Sequence, residues 1–133
     1  FLVGKSFSFC ERLPSDDKYL KVKNYDIKYI MEASCVISTF GVSVAECLFL
    51  KKPVISVAHS IENEHGSLML SKRSPACFNL GYFKSLNREK LIETIKMAQD
   101  PAKEVTDWLN NGLIDGNGVN RVVNWLEDKA DLC

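Results

Sequence analysis

The chain sets short, nearly continuous apolar runs between polar, Gly and Pro positions, and that spacing predicts strands and helices in turn. Phe1-Leu2-Val3-Gly4 and Tyr19-Leu20-Lys21-Val22 suit short strands, with a loop between them. Asn24 is placed to cap a helix whose apolar positions, Ile27, Ile30 and Met31, fall at i, i+3 and i+4. Cys35-Val36-Ile37-Ser38 is β-rich and predicts a buried strand. After Gly41, residues 42–50 are nearly apolar all round except at Glu46, which predicts a helix. Lys51-Lys52 follow, then a strand over Pro53-Val54-Ile55-Ser56-Val57. Strands that are continuously apolar, not alternating, are what a parallel sheet covered on both faces produces, and the crossover joining them is expected to be right-handed.

Downstream, residues 61–72 predict a helix, Cys77-Phe78-Asn79-Leu80-Gly81 a short edge strand or turn, and Asn87 opens a helix carrying Leu91, Ile92 and Ile95. Asp100-Pro101 has the form of a helix start, with Asp as N-cap and Pro in the first turn, and Asn111-Gly112 the form of its stop. Asp115-Gly116-Asn117-Gly118 reads as a turn, and Val119, Val122, Val123 and Leu126 mark one face of a final helix. No internal repeat or low-complexity segment is present. The expected fold class is α/β, a parallel sheet with helices on both faces, in a single domain over 1–133.

Composition narrows the function classes more than the fold. With 133 residues, 46% of them apolar and 26% charged, the chain is sized for one soluble globular domain and not for a two-domain enzyme. Lys+Arg and Asp+Glu are both 17, so there is no basic excess for a phosphate backbone, which argues against nucleic acid as a general partner. No run approaches the roughly 18 apolar residues of a membrane helix. The five cysteines, at 10, 35, 47, 77 and 133, form no CxxC pair and sit mostly in apolar runs, as expected for reduced, buried residues of a cytoplasmic protein. The start at Phe1, without Met, resembles a strand end more than a signal peptide, so a piece of a longer chain is expected.

Chemistry concentrates in Ser38-Thr39-Phe40-Gly41-Val42-Ser43-Val44-Ala45-Glu46. Here a strand ends in a small polar pair, Gly permits a close backbone approach, and the following helix offers free N–H groups and a positive dipole end to an anion. Ligands of open α/β sheets lie beyond the carboxyl ends of the strands, where this loop falls, so a pyrophosphate suits it and Glu46 is placed to accept from ribose hydroxyls. The spacing Ser43-x-x-Glu46 equally fits a capping box that satisfies the helix end with no ligand. Neither GxGxxG nor GxxxxGK[ST] occurs. A second polar cluster, His59-Ser60-Ile61-Glu62-Asn63-Glu64-His65, follows the next strand on the same sheet edge; its side chains suit a sugar, or ordinary loop polarity, and their spacing is not that of HExxH metal binding. Asp115 reads as a turn former and Arg121 as a surface ion-pair or phosphate partner. No nucleophile with an adjacent base is legible, and no cofactor or metal is called for.

The run Met31-Glu32-Ala33-Ser34-Cys35-Val36-Ile37-Ser38, then Gly41-x-Ser43-x-x-Glu46, Lys52-Pro53 and a polar loop with Asn63, resembles the C-terminal half of GT-B nucleotide-sugar enzymes. The branch it looks most like is the UDP-sugar hydrolases of spore-coat polysaccharide and pseudaminic-acid synthesis, and Leu113-Ile114-Asp115-Gly116-Asn117-Gly118-x-x-Arg121-Val122-Val123 is similar to that branch's "IDGxGxxRV" ending. Together the matching segments span roughly residues 25–126. The resemblance implies a Rossmann-like domain that holds UDP, with Ser38, Gly41, Val42 and Ser43 at the nucleotide's pyrophosphate, Glu46 at the ribose, and Asn63 and Glu64, with His59 nearby, facing the sugar. Two residues depart from the pattern: Phe40 stands where many relatives have Gly, narrowing the backbone approach, and Glu64 stands where Gln is usual, setting a carboxylate near a diphosphate.

In such enzymes the substrate lies between two Rossmann-like domains, and the hydrolases of this branch take a histidine from the N-terminal one. The expectation is therefore a UDP-sugar-binding domain of a nucleotide-sugar hydrolase or glycosyltransferase, inactive alone and completed by an N-terminal Rossmann-like domain in cis or in trans. Self-association into a homo-oligomer is a further expectation for a half-enzyme with an uncovered cleft surface. The alternative is a non-catalytic domain of the same shape, kept for assembly, in which Phe40 and Glu64 mark a degraded site.

Overall fold

The structure, a computed structural model, describes residues 2–3, 21–112 and 114–130. Expectations that fall on Phe1, Gly4, the stretch 5–18, Tyr19 and Leu20, together with Cys10, Leu113 and Cys133, lie outside the described residues. The chain divides into two compact units, Phe1–Ala33 and Ser34–Cys133.

In the first unit, β1 (Leu2–Val3) pairs in parallel with β2 (Lys23–Asn24), Leu2 opposite Lys23 and Val3 opposite Asn24. The second strand thus falls later than the apolar run that suggested it, because pairing and not apolarity sets its extent. Asn24 is consumed by β2, so the cap of α1 (Ile27–Glu32) is Asp26, whose carboxylate accepts from the Lys28 N–H at 3.0 Å and meets Lys28 Nζ at 3.1 Å. Of the three apolar positions on α1, Ile30 is buried while Ile27 and Met31 are exposed.

The second unit runs β3 (Val36–Ser38), α2 (Val42–Phe49), β4 (Val54–Ala58), α3 (Ile61–Ser71), β5 (Cys77–Tyr82), α4 (Arg88–Gln99), α5 (Lys103–Asn110) and α6 (Gly118–Ala130). Its three strands are parallel in the order β3-β4-β5, flanked by helices in a Rossmann-like α/β arrangement. Alternation along the strands shows what covers each face. Ile55 and Val57 of β4 with Phe78 and Leu80 of β5 form one side, where Leu91, Ile95 and Ala98 of α4, at helical spacing, close the core. Val54, Ser56 and Ala58 with Cys77 and Asn79 form the other, where Ser67 of α3 donates to Asn79 Oδ1 at 2.9 Å. Both connections step the same way across the sheet, and α2, with Val44, Cys47 and Leu48 buried, packs on β3 and β4. The continuous apolar character of β4 has its cause here, since Val54, Ile55, Ser56 and Ala58 are all 0% exposed.

One irregularity shapes the carboxyl end of the sheet. Ser56 pairs with Asn79 but Ala58 pairs with Tyr82, so Leu80 and Gly81 together oppose Val57 in a β-bulge. Gly81 supplies the left-handed backbone, φ +81°, that the extra residue needs, and its N–H donates to Asn79 Oδ1 at 3.0 Å. The bulge turns Tyr82 to the α3 side of the sheet.

Two expected helix features differ. Asp100 does not start α5 but closes α4 as its C-cap, because Pro101 excludes the preceding residue from helical backbone; α5 then begins after Ala102 with no side-chain cap. The apolar face of α6 is solvent-exposed: Val119 is 74% exposed, Val122 58%, Val123 44% and Leu126 54%.

Candidate functional site

The carboxyl ends of β3 and β4 bring the two sequence-selected clusters to one edge. Ser38 ends β3, and residues 39–41 lead into α2, whose N-cap is Gly41. That corrects the capping-box alternative: the N-cap is Gly41, and Ser43 lies inside the first turn, exposed. A capping hydroxyl must precede the helix, and Gly41, which holds that position, has none. A Cβ built on Gly41 meets nothing within 4 Å, so the space before the helix is open. Val42 is 77% exposed beside it, and Glu46 is half-buried one turn further on.

The start of α3 differs in kind. Ser60 is its N-cap and accepts from the Asn63 N–H at 3.2 Å. The Glu62 carboxyl is held below its ordinary range by its own backbone N–H, then by the Ser60 hydroxyl and the charge of nearby His59. A helix end already satisfied by a hydroxyl and a carboxylate has little to offer an anion, whereas the N-cap of α2, Gly41, brings no side chain to its helix end. His59 and His65 are exposed, and among the described residues no group of three or more His, Cys, Asp or Glu is arranged to hold a metal ion.

Asn63 and Glu64, adjacent in sequence, do not face one point. Asn63 Nδ2 donates to the Phe40 carbonyl at 3.0 Å, tying α3 to the loop before α2, and its Oδ1 is buried with no hydrogen-bond partner among the described residues. Glu64 lies over the bulge instead, its Oε1 3.1 Å from where a Gly81 Cβ would sit. Phe40, taken from the sequence as narrowing the approach to the site, turns its ring onto α3 at Gly66, where a Cβ would stand 2.4 Å from Cε1 and 2.9 Å from Cζ. Gly66 was not singled out in the sequence; the signal that identifies it is its spacing of three from Asn63, which puts both on the face toward residue 40.

No family model, curated protein or solved structure matches this chain. What the site can do must be read from its own groups.

A polar row runs across the sheet below the site: Ser38, Ser56 and Asn79 are register partners on one face, with Ser67 above Asn79. The Ser56 hydroxyl is fully buried and has no hydrogen-bond partner among the described residues. The described thiols are held toward the protonated form. Burial, and secondarily the adjacent Glu46 carboxylate, push Cys47 up to about 11, and burial alone pushes Cys77 to about 11. Cys35, Cys47 and Cys77 are all free.

Asp115 and Arg121 find each other at the start of α6: Arg121 Nη1 donates to both carboxylate oxygens at 3.0 and 2.8 Å, and Asp115 also accepts from the Asn117 N–H at 3.0 Å. These bonds, the guanidinium first, hold the Asp115 carboxyl well below its usual range. A depressed folded-state value means the contribution is complete above the ordinary carboxylate value of about 4 and is lost as pH falls toward the depressed one. Amide exchange at residues 118–121 is expected to quicken, relative to the intrinsic rate, as pH is lowered below about 4. In Asp115→Asn it should be fast already at neutral pH and lack that added dependence. A wild-type protection factor that does not change with pH would contradict this role for the pair.

Proposed function

We propose that this chain is the nucleotide-sugar-binding half of a hydrolase or glycosyltransferase acting in surface-polysaccharide or nonulosonic-acid synthesis, with the diphosphate of a UDP-sugar at the start of α2. The observation that carries this reading is the α2 N-terminus at the carboxyl edge of a parallel sheet, where the N-cap Gly41 has no capping side chain and a Cβ would meet nothing within 4 Å. Backbone N–H groups of the first turn and the positive end of the helix supply the attraction, and no lysine or metal is required for it. Glu46, one turn in, is placed to accept from the ribose hydroxyls, and exposed Val42 gives the ligand apolar surface to cover. Ser38 flanks the same loop. His59, just past the end of β4, is the residue left to face the sugar, since Asn63 is committed to the Phe40 carbonyl and Glu64 lies over the Gly81 bulge.

On this reading the chain holds substrate, and the group that activates water or an acceptor hydroxyl comes from an N-terminal Rossmann-like domain, in the same polypeptide or in a partner. Calorimetric titration with UDP, with CMP as the control, is the direct test. Saturable UDP binding is expected, weakened at least about tenfold, or 1.4 kcal/mol, in Glu46→Ala while the far-UV spectrum is unchanged. Silence up to millimolar UDP would sink the proposal and favour a non-catalytic assembly domain.

A further inference from the structure

Resting on the nucleotide-site reading above, we infer that Phe40, Asn63 and Gly66 are positioning residues that lock the 39–41 loop and so fix where the α2 N-terminus points. Three observations converge on residue 40. Its carbonyl accepts from Asn63 Nδ2 at 3.0 Å, its ring edge occupies the space a Gly66 Cβ would need, and Gly41 immediately after it is the helix N-cap. The backbone between Ser38 and Val42 has few other restraints: among the described residues the Ser38 hydroxyl bonds only the adjacent Thr39 carbonyl, and Gly41 carries no side chain. An anion held by backbone N–H groups binds only when those groups already converge, so a loop free to swing lowers affinity by the fraction of time it is misplaced. Asn63 and Gly66 sit three residues apart on α3, an element already anchored to the sheet through Ser67 and Asn79. The lock thus couples the loop after β3 to the helix after β4. Asn63 in this role holds protein and not sugar, with its amide committed to Phe40.

The assay is a double-mutant cycle read by UDP titration and by thermal melting of the same samples. Gly66→Ala places a methyl against Phe40 Cε1, so the ring must shift, and the lock predicts that the loop moves with it. If the competent loop falls to about one tenth of the population, affinity falls about tenfold. In a Phe40→Ala background the same Gly66→Ala change has nothing to displace, and affinity should not fall further. Asn63→Ala, which introduces no clash, should weaken binding in the same direction and serves if Gly66→Ala fails to fold. A purely structural role would move the melting temperature and leave the affinity alone. Wild-type binding with undiminished affinity in Gly66→Ala and Asn63→Ala, or effects of Phe40→Ala and Gly66→Ala that simply add, overturns the lock and leaves the nucleotide site standing. Wild-type silence overturns the nucleotide site and the lock together.

Discussion

Replacing Ile55 with Ala is expected to lower the unfolding free energy by about 2–5 kcal/mol, a large share of the about 5–15 kcal/mol that holds a domain of this size. Ile55 is 0% exposed at the centre of the middle strand, against Leu80 and Ala98, with Val57, Phe78, Leu91 and Ile95 around it. The loss combines the transfer of the deleted methyl and methylene groups with a cavity that two packed layers have little freedom to fill. Its register partner Ile37, in the next strand and on the same face, is 51% exposed, because α4 packs on β4 and β5. Ile37→Ala should therefore cost less than about 1 kcal/mol. Urea unfolding of the two variants at equal m-value separates them. Equal losses would show that the face of β3 is as buried as that of β4, contrary to the structure.

Gly41→Asp should move stability and ligand affinity in opposite directions. The position is the α2 N-cap, its backbone is extended (φ 163°) as any residue can be, and a Cβ there touches nothing. Asp is among the best N-cap residues, so the fold should gain a few tenths of a kcal/mol over Gly. The same carboxylate would stand where the diphosphate is proposed to bind, satisfying its N–H groups and repelling its charge. At an effective dielectric near 20, two unit charges about 4 Å apart repel by about 4 kcal/mol, and solvent exposure reduces this, so a loss of about 10- to 100-fold in UDP affinity is expected. Gly41→Ala, which adds a methyl but neither cap nor charge, should lose less affinity than Gly41→Asp. Tighter or unchanged binding in Gly41→Asp would place the anion elsewhere.

Much of this architecture is legible in the sequence, and the places where it is not have physical causes. Helix and strand positions in 34–133 follow apolar runs closely because a buried parallel strand needs nearly every side chain apolar, as in β4, where Ser56 is the one polar position. Caps are less legible. Asn24, Asp26, Ser43 and Asp100 are all competent cap residues, and which of them serves depends on neighbours: Asn24 is taken by a strand pair, Asp100 is fixed by Pro101, and Ser43 falls two positions late. The loop of the candidate site was visible as Ser38 through Glu46, but not the contact that holds it. Phe40 looks like an obstruction until Gly66, 26 residues on, is seen to receive it. Likewise Asn63 and Glu64 look like a pair in sequence, yet neighbouring positions on a helix point about 100° apart, and the two side chains part toward β3 and β5. The valine and leucine stripe of α6 shows that an amphipathic pattern specifies a helix without specifying what covers it.

The row Ser38, Ser56 and Asn79 bears on how the strands find their alignment while the chain folds. Apolar side chains in a parallel sheet are nearly interchangeable, so Val and Ile alone would let neighbouring strands pair one step out of place at small loss. A slip of one residue inverts every side chain, carrying Asn79 away from Ser67 and into the layer of Leu91 and Ile95, where its amide would have no partner. The hydroxyls and the amide thus serve as an alignment mark, penalising the mispaired sheets that a uniformly greasy interior would tolerate.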